Sequence, residues 1–381
     1  MRENNRIESL DIIRGIALCF ILFVNVNSMT GFDPYYTKAY EGIDKYFRFT
    51  ADLLIQTKFY TIFSFLFGVS FYIFMRNAEE KGLNMYKLFI KRLLILYIFG
   101  LIHYFFFWFG DILHIYALIG LMLLLFYRLN SKTLLILGIT LIGLKTSFDS
   151  LVFLVHLDSE SIVQIQPGSI FNGTYDLQYS VNYFTNWLQQ VVARFQYWTE
   201  NDTKTMLEVL PDILGIFLLG IYSAKIRLFQ RVQELKKNIQ IIQLVSFVIS
   251  MCIMFFFGLD FAHHDTYVPA AHMLYITLNG KALTVFYVTS LLVLLENKSV
   301  KRAFRPLALY GRMALTNYIG QTILVLVPLS LMYTNVLDVT YSEQFIYSAA
   351  VIVAQIVISQ YWLKKYKQGP LESFWRKLTY R

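Results

Sequence analysis

Apolar residues recur along the chain in blocks of about 20, each long enough to cross a ~30 Å hydrocarbon layer at ~1.5 Å of helix rise per residue. The blocks predict ten spanning helices, at 9–29, 52–76, 88–108, 110–128, 133–155, 206–226, 238–259, 270–296, 308–332 and 342–364. The expected fold is therefore all-α, a polytopic integral membrane protein formed by one transmembrane domain over residues 1–381. The longest connection lies at 157–205. It passes from a polar stretch, Gln164 to Gln178, into an aromatic one holding Tyr183, Phe184, Trp187, Phe195, Tyr197 and Trp198. Rings spaced in this way suit either an amphipathic lid helix on the membrane surface or an interfacial connector.

Basic residues orient the helices. With the N-terminus in the cytoplasm, 25 lysines and arginines fall on cytoplasmic segments, against five outside: Lys38, Lys45, Arg48, Arg194 and Lys204. That bias predicts cytoplasmic termini in a bacterial plasma membrane. The first apolar block is too long for a signal peptide core and lacks a small-residue cleavage site, so it is expected to stay as a helix.

Composition removes further classes. A chain of 381 residues with 56% hydrophobic and 15% charged residues is not a water-soluble globule. Its net charge of +9 follows from topology and needs no nucleic acid. Cys19 and Cys252 both lie in apolar blocks, which argues against disulfides and zinc sites.

Candidate chemistry lies in polar residues placed where lipid should be. An ionisable group at the bilayer centre costs ~2.5–3.5 kcal/mol or more, so those present should face a protein interior or a hydrated cavity. The first helix holds Asp11 and Arg14, three residues apart, then Asn25 and Asn27. His103, Asp111 and His114 surround a short turn, Trp108-Phe109-Gly110. Glu208 and Asp212 open the sixth helix, and the eighth carries His272, Asn279 and Lys281. Arg312, Thr316, Asn317 and Gln321 are spaced as a single polar stripe on the ninth.

By depth, Arg14, Arg92, Arg312 and Asn317 belong to the inner half; His103, Asp111, His114, Glu208 and Asp212 belong to the middle or outer half. Arginines hold phosphates, and the outer groups can move protons. Each has a structural alternative. Arg14 with Asp11 can simply be a buried ion pair, and His103 a satisfied core histidine. Lys58 and the Lys145/Asp149 pair are expected to be structural, and His263, His264 and Asp265 to mark an exposed loop, with no metal site expected.

The residues also carry a family resemblance. The opening Arg6-Ile-Glu-Ser-Leu-Asp-Ile-Ile-Arg-Gly-Ile-Ala-Leu, continuing to Phe23-Val-Asn25, resembles the entry motif of the transmembrane acyltransferase superfamily. That group includes the acyltransferase-3 proteins and heparan-alpha-glucosaminide N-acetyltransferase. Three further stretches resemble the YeiB-like proteins, the domain of unknown function 418. They are Phe63 to Gly68, Gly100-Leu-Ile-His103 through Gly110-Asp-Ile-Leu113 to Tyr116-Ala-Leu, and Gly311-Arg-Met-Ala-Leu-Thr-Asn-Tyr318 with Gln321.

The resemblance implies that acyl-coenzyme A is used from the cytoplasm and its acyl group, often acetyl, passes to a carbohydrate or lipid-linked acceptor outside. Acyltransferase-3 proteins carry a histidine near the far end of the first helix, where this chain has Asn25 and Asn27. Asparagine is not a general base at neutral pH, so His103 takes that role in the expected scheme.

The expected machinery is His103 as base, Asp111 orienting it, and Asn25 or Asn317 donating to the oxyanion. Arg14, Arg92 and Arg312 hold the coenzyme phosphates, with Asn317 beside them. His114, Glu208, Asp212, Lys281 and Gln321 face the small-molecule or glycan acceptor. Membrane lipid is the surrounding partner. Competing expectations are a solute transporter or channel built on Lys281, Asp212 and the polar ninth helix, and a non-catalytic envelope component.

Overall fold

A computed structural model describes residues 7–29, 39–156, 187–333 and 339–380. Every regular element among them is helical. In chain order these are α1 (Glu8–Met29), α2 (Gly42–Leu54), α3 (Lys58–Glu80), α4 (Met85–Phe106), α5 (Leu113–Phe126), α6 (Ser131–His156) and α7 (Trp187–Lys225). There follow α8 (Lys236–Ala262), a single 3-10 turn (Pro269–His272), α9 (Met273–Leu294), α10 (Lys298–Ala303), α11 (Arg305–Arg312), α12 (Ala314–Met332), α13 (Tyr341–Lys365) and α14 (Pro370–Tyr380). Nine helical stretches among the described residues are long and apolar enough to cross a membrane, with Gly42–Glu80 taken as one. The 14-residue α5 is shorter, about 21 Å by helical rise. The protein is an all-α polytopic membrane protein.

The core is built by close approach of backbones. A Cβ at Gly15 would strike the Leu307 carbonyl, and one at Gly311 the Asp11 carbonyl, so α1 and α11 touch main chain to main chain. Gly68 and Gly220 do the same for α3 and α7, against Phe217 and Phe65. In lipid such contacts replace the hydrophobic drive, because tails are as apolar as leucine. α1 is the most enclosed span, whereas α6 and α8 lie at the lipid-facing edge with Ile241, Leu244, Val248 and Phe255 exposed.

Two predicted spans are broken helices. The span expected at 52–76 is replaced by α2 and α3, separated at Ile55 to Thr57, where Thr57 takes a left-handed φ of 70°. The carbonyls freed at the end of α2 are satisfied from α9, where Asn279 Nδ2 donates to Leu53 O at 2.9 Å and Tyr287 to Leu54 O at 3.2 Å, while Thr284 reaches Lys58 O at the start of α3 at 3.3 Å. Interrupted backbone survives at membrane depth only with such partners. α2 is an amphipath with its polar side inward. Lys45, Arg48 and Asp52 are buried while Ile43 and Tyr46 are exposed. Lys45 and Arg48, read from the sequence as residues of an outside connection, are therefore interior groups.

The span expected at 308–332 divides at Met313 into α11 and α12. Glu372 of α14 covers the start of α12, accepting from the N–H of Leu315 at 2.7 Å, the N–H of Thr316 at 3.0 Å and the Thr316 hydroxyl at 2.6 Å. A carboxylate there satisfies orphan donors and the positive helix end.

The segment expected as a lid also differs. Residues 187–205 are continuous with the sixth predicted span, giving the 39-residue α7. Residues 157–186, with Tyr183 and Phe184, lie outside the described residues. The N-terminal part of α7 rests on the end of α4. Trp187 Nε1 donates to Phe106 O at 2.9 Å, Arg194 to Phe105 O at 3.0 Å, and the Phe105 ring is tilted against Phe195 and T-shaped to Trp198.

Candidate functional site

The α4–α5 hairpin places three of the expected residues in one buried chain. Gly100 on α4 lies so near the start of α5 that a Cβ would strike the His114 nitrogen. The Asp111 carboxylate fills that corner. Its Oδ1 meets His103 Nδ1 at 2.8 Å, and its Oδ2 meets His114 Nδ1 at 2.9 Å and the His114 backbone N–H at 3.1 Å. His103, Asp111 and His114 are all buried. Beyond them His103 Nε2 meets Thr322 Oγ1 of α12 at 3.0 Å, and His114 Nε2 meets Asp202 Oδ1 of α7 at 3.0 Å.

The hydrogen bonds restrict where protons sit. A carboxylate accepts only, so both Nδ1 atoms donate to Asp111. His103 Nε2 is then an acceptor, and the Thr322 hydroxyl donates to it. His114 Nε2 faces a second carboxylate, so an additional proton must reside in the His114–Asp202 contact. The sequence Asp202, His114, Asp111, His103, Thr322 is thus a continuous line of titratable and hydroxyl groups. Asp202 is its partly exposed end. It lies on α7 about 34 Å from Lys225 by helical rise, toward the membrane face opposite the basic connections.

One donor beside the chain has no use in the described structure. Trp108 is buried, its ring 6.2 Å from that of His103, and its indole N–H finds no acceptor among the described residues. Tyr318 flanks His103 on another side, ring centroids 5.3 Å apart, its oxygen accepting the Ile112 N–H at 3.4 Å. Sequence reasoning missed Asp202, Thr322 and Trp108 as members of this site. Asp202 fell in the connection before the span expected at 206–226 and carried no signal, nor did a threonine next to Gln321.

A second polar centre joins α9 to α7. Lys281 Nζ lies 2.5 and 2.6 Å from the two Asp212 oxygens, and the Tyr60 hydroxyl donates to Asp212 Oδ2 at 3.0 Å. The sequence placed both residues near the midplane but on separate helices; the fold makes them one ion pair. Glu208 does not join it. The expectation that it faces the acceptor with Asp212 gives way to an exposed side chain, in electrostatic reach of Lys145 and Asp149 on α6.

The inner arginines do not converge on one point. Arg14 bonds Asp11 at 3.1 Å and Ser70 at 3.0 Å. Arg92 stacks 3.6 Å over the Trp375 ring of α14, and Arg312 donates to Lys367 O at 2.8 Å. Because the helix breaks at Met313, Arg312 does not share a stripe with Asn317 and Gln321. Those two belong to a structural network. Asn317 Nδ2 donates to Tyr310 O and Ser359 Oγ, each at 3.0 Å, and Gln321 Nε2 to Leu18 O at 3.1 Å and the Tyr310 hydroxyl at 2.8 Å. The Asn317 amide is fully used, which leaves it no hydrogen for an oxyanion. Asn25 is half-buried near the far end of α1, and its backbone carbonyl accepts from the Ser28 hydroxyl. Among the described residues no group of three or more histidine, cysteine or carboxylate side chains is placed to hold a metal ion.

Comparison with known proteins places the whole chain in a family. It is 31% identical over 377 residues to the uncharacterized 39.9 kDa protein in the amylase 3′ region of Bacillus acidopullulyticus, covering 99% of this chain and 94% of that one. It is 29% identical to the uncharacterized protein YxaH of Bacillus subtilis, covering 99% and 95%, and 24% identical to the uncharacterized protein YeiB of Escherichia coli, covering 98% and 96%. No solved structure matches it. The family model described as "Protein of unknown function (DUF418)" matches residues 223–381, from the end of α7 to the C-terminus. With near full-length likeness to these relatives, the chain belongs to the YeiB-like DUF418 family of membrane proteins.

Proposed function

We propose that the protein is an acyltransferase of the bacterial plasma membrane, taking an acyl group from acyl-coenzyme A at its basic, cytoplasmic face for a hydroxyl or amine acceptor reached from outside. The observation that carries this reading is the buried run Asp111–His103–Thr322 at 2.8 and 3.0 Å. A carboxylate fixing Nδ1–H leaves Nε2 facing a hydroxyl, which is the arrangement of a general base. In the reading, the Thr322 hydroxyl occupies the place an acceptor hydroxyl takes.

His103 removes the acceptor proton, the acceptor oxygen or nitrogen bonds to the thioester carbonyl carbon, and the carbon–sulfur bond breaks. The proton returns to the departing thiolate. In this reading the Trp108 N–H, which has no acceptor among the described residues, donates to the carbonyl oxygen as charge develops, a role the sequence had given to Asn25 or Asn317. From Arg92 to His103 along α4 is about 16 Å, a span suited to a donor with its phosphates at the basic face and its acyl end at the imidazole.

The test uses everted membrane vesicles supplied with acetyl-labelled coenzyme A, following label into envelope lipid and glycan. Wild type should label an acceptor, and His103→Ala should lower the rate ~10²–10⁴-fold with protein levels unchanged. Equal rates, or no coenzyme-dependent labelling by wild type, would overturn the reading.

A second reading, solute transport, draws on the Lys281–Asp212–Tyr60 centre, since paired charges within a bundle mark ion and substrate paths. Flux in proteoliposomes without coenzyme, lost in Lys281→Met, would favour it.

A further inference from the structure

Where the α3–α4 turn meets α14, a cleft of about 400 Å³ is lined by Lys81, Gln368, Ser373, Arg376, Lys377 and Tyr380. Every one of these side chains can donate a hydrogen bond, three carry positive charge, and none is acidic. Four of them, Ser373, Arg376, Lys377 and Tyr380, stand at i, i+3, i+4 and i+7 and form a single stripe on α14.

The other side of the same helix is structural. Glu372 holds the start of α12, Trp375 Nε1 donates to Arg92 O at 2.9 Å, and Thr379 is buried. The division keeps the cationic stripe free of packing duties. Neighbouring carboxylates are committed elsewhere as well. Glu80 pairs with Arg76 at 2.7 Å, Glu79 accepts from Tyr127 at 2.8 Å, and Glu372 is held by α12. Among the described residues no carboxylate lies in ion-pair contact with Lys81, Arg376 or Lys377. Three like charges so placed repel one another, and a multiply charged anion between them removes that repulsion. Arg92, stacked on Trp375, sets a fourth cation behind the stripe.

We infer that this cleft is a binding site for a phosphoryl group carrying two or more negative charges. Lys81 and Lys377 act as point charges, Arg376 as the bidentate fork, and Ser373, Gln368 and Tyr380 as neutral donors. The volume falls in the range of small-molecule sites and takes a diphosphate with a sugar or a lipid headgroup. Under the acyl-transfer reading the anion is the phosphate end of the donor, in place of a convergence of Arg14, Arg92 and Arg312. The anion site itself does not depend on acyl transfer.

The test titrates inorganic pyrophosphate into the full-length protein in nanodiscs of phosphatidylcholine, with a parallel arm measuring retention of phosphatidic acid, whose phosphomonoester can carry two charges, by native mass spectrometry. Wild type should bind pyrophosphate with an affinity that falls as salt rises. The variant Lys81→Ala/Arg376→Ala/Lys377→Ala should weaken binding at least tenfold, and His103→Ala should bind as wild type even where transfer is lost. Pyrophosphate binding that survives added phosphatidic acid identifies a soluble phosphate; loss of pyrophosphate binding, with lipid retained by wild type and released by the triple variant, identifies a headgroup. If the triple variant does not fold, Arg376→Gln and Lys377→Gln are tested singly, each expected to weaken binding several-fold. Wild type that takes up neither probe, or charge-removed variants that take up both as wild type does, would overturn the site.

Discussion

Arg92 and Trp375 are joined twice. The Arg92 guanidinium stacks 3.6 Å over the Trp375 ring, and the Trp375 indole donates to the Arg92 carbonyl at 2.9 Å. This pair ties the last helix of the chain to α4, far from it in sequence. Trp375→Ala removes both bonds, worth about 1–2 kcal/mol each in a desolvated contact. Limited proteolysis of the purified protein should then cut within α14 at concentrations that leave wild type intact. Equal resistance would mean that Glu372 alone holds the helix.

Asp111 accepts three hydrogen bonds in a buried corner. Asp111→Ala leaves two imidazoles and one backbone N–H without their acceptor. Removing one partner from a buried charged group costs about 3–5 kcal/mol. The thermal midpoint in detergent should fall strongly, and by more than for Thr322→Val, which removes a single bond at the end of the chain. Matching midpoints for the two variants would show that the hairpin does not depend on Asp111.

The Lys281–Asp212 pair lends itself to a double-mutant cycle. Lys281→Met strands a carboxylate and should destabilise by several kcal/mol, on the order of 3–5. Lys281→Met with Asp212→Leu removes both charges and should recover most of that loss. Purely additive losses would show that the two residues do not interact in the membrane.

The Gly15/Gly311 contact is steric. Gly311→Leu drives a side chain into the Asp11 carbonyl and should separate α1 from α11, leaving little folded protein after detergent extraction. Gly258→Leu on α8 meets open space and should behave as wild type. Monodisperse elution of Gly311→Leu on size-exclusion chromatography would contradict the close approach.

Much of the fold was legible because a membrane span announces itself by local composition. The ten apolar blocks correspond to the nine long helical stretches and to α5. The breaks at Thr57 and Met313 were not legible, since neither carries a proline or glycine at the break itself and the partners that make them tolerable, Asn279 and Glu372, lie far away in sequence. In the candidate site, His103, Asp111 and His114 stood out as polar residues in an apolar setting, and their short sequence separation let the carboxylate be matched to the imidazoles. Asp202, 88 residues beyond His114, could not be matched in that way.

The sequence by itself determined that this chain lives in a membrane, roughly where it crosses, and which polar residues are too costly to leave in lipid. Those properties follow from transfer free energy, which depends on each residue and its near neighbours. Only the tertiary structure decided that Lys281 meets Asp212, that the Asn317 amide is consumed by packing, that Arg312 leaves the polar stripe and that a cationic cleft forms beside α14. Such matches depend on how each helix is rotated and how closely it approaches its neighbours. That is set by glycine contacts and breaks between distant segments, which a one-dimensional pattern does not contain.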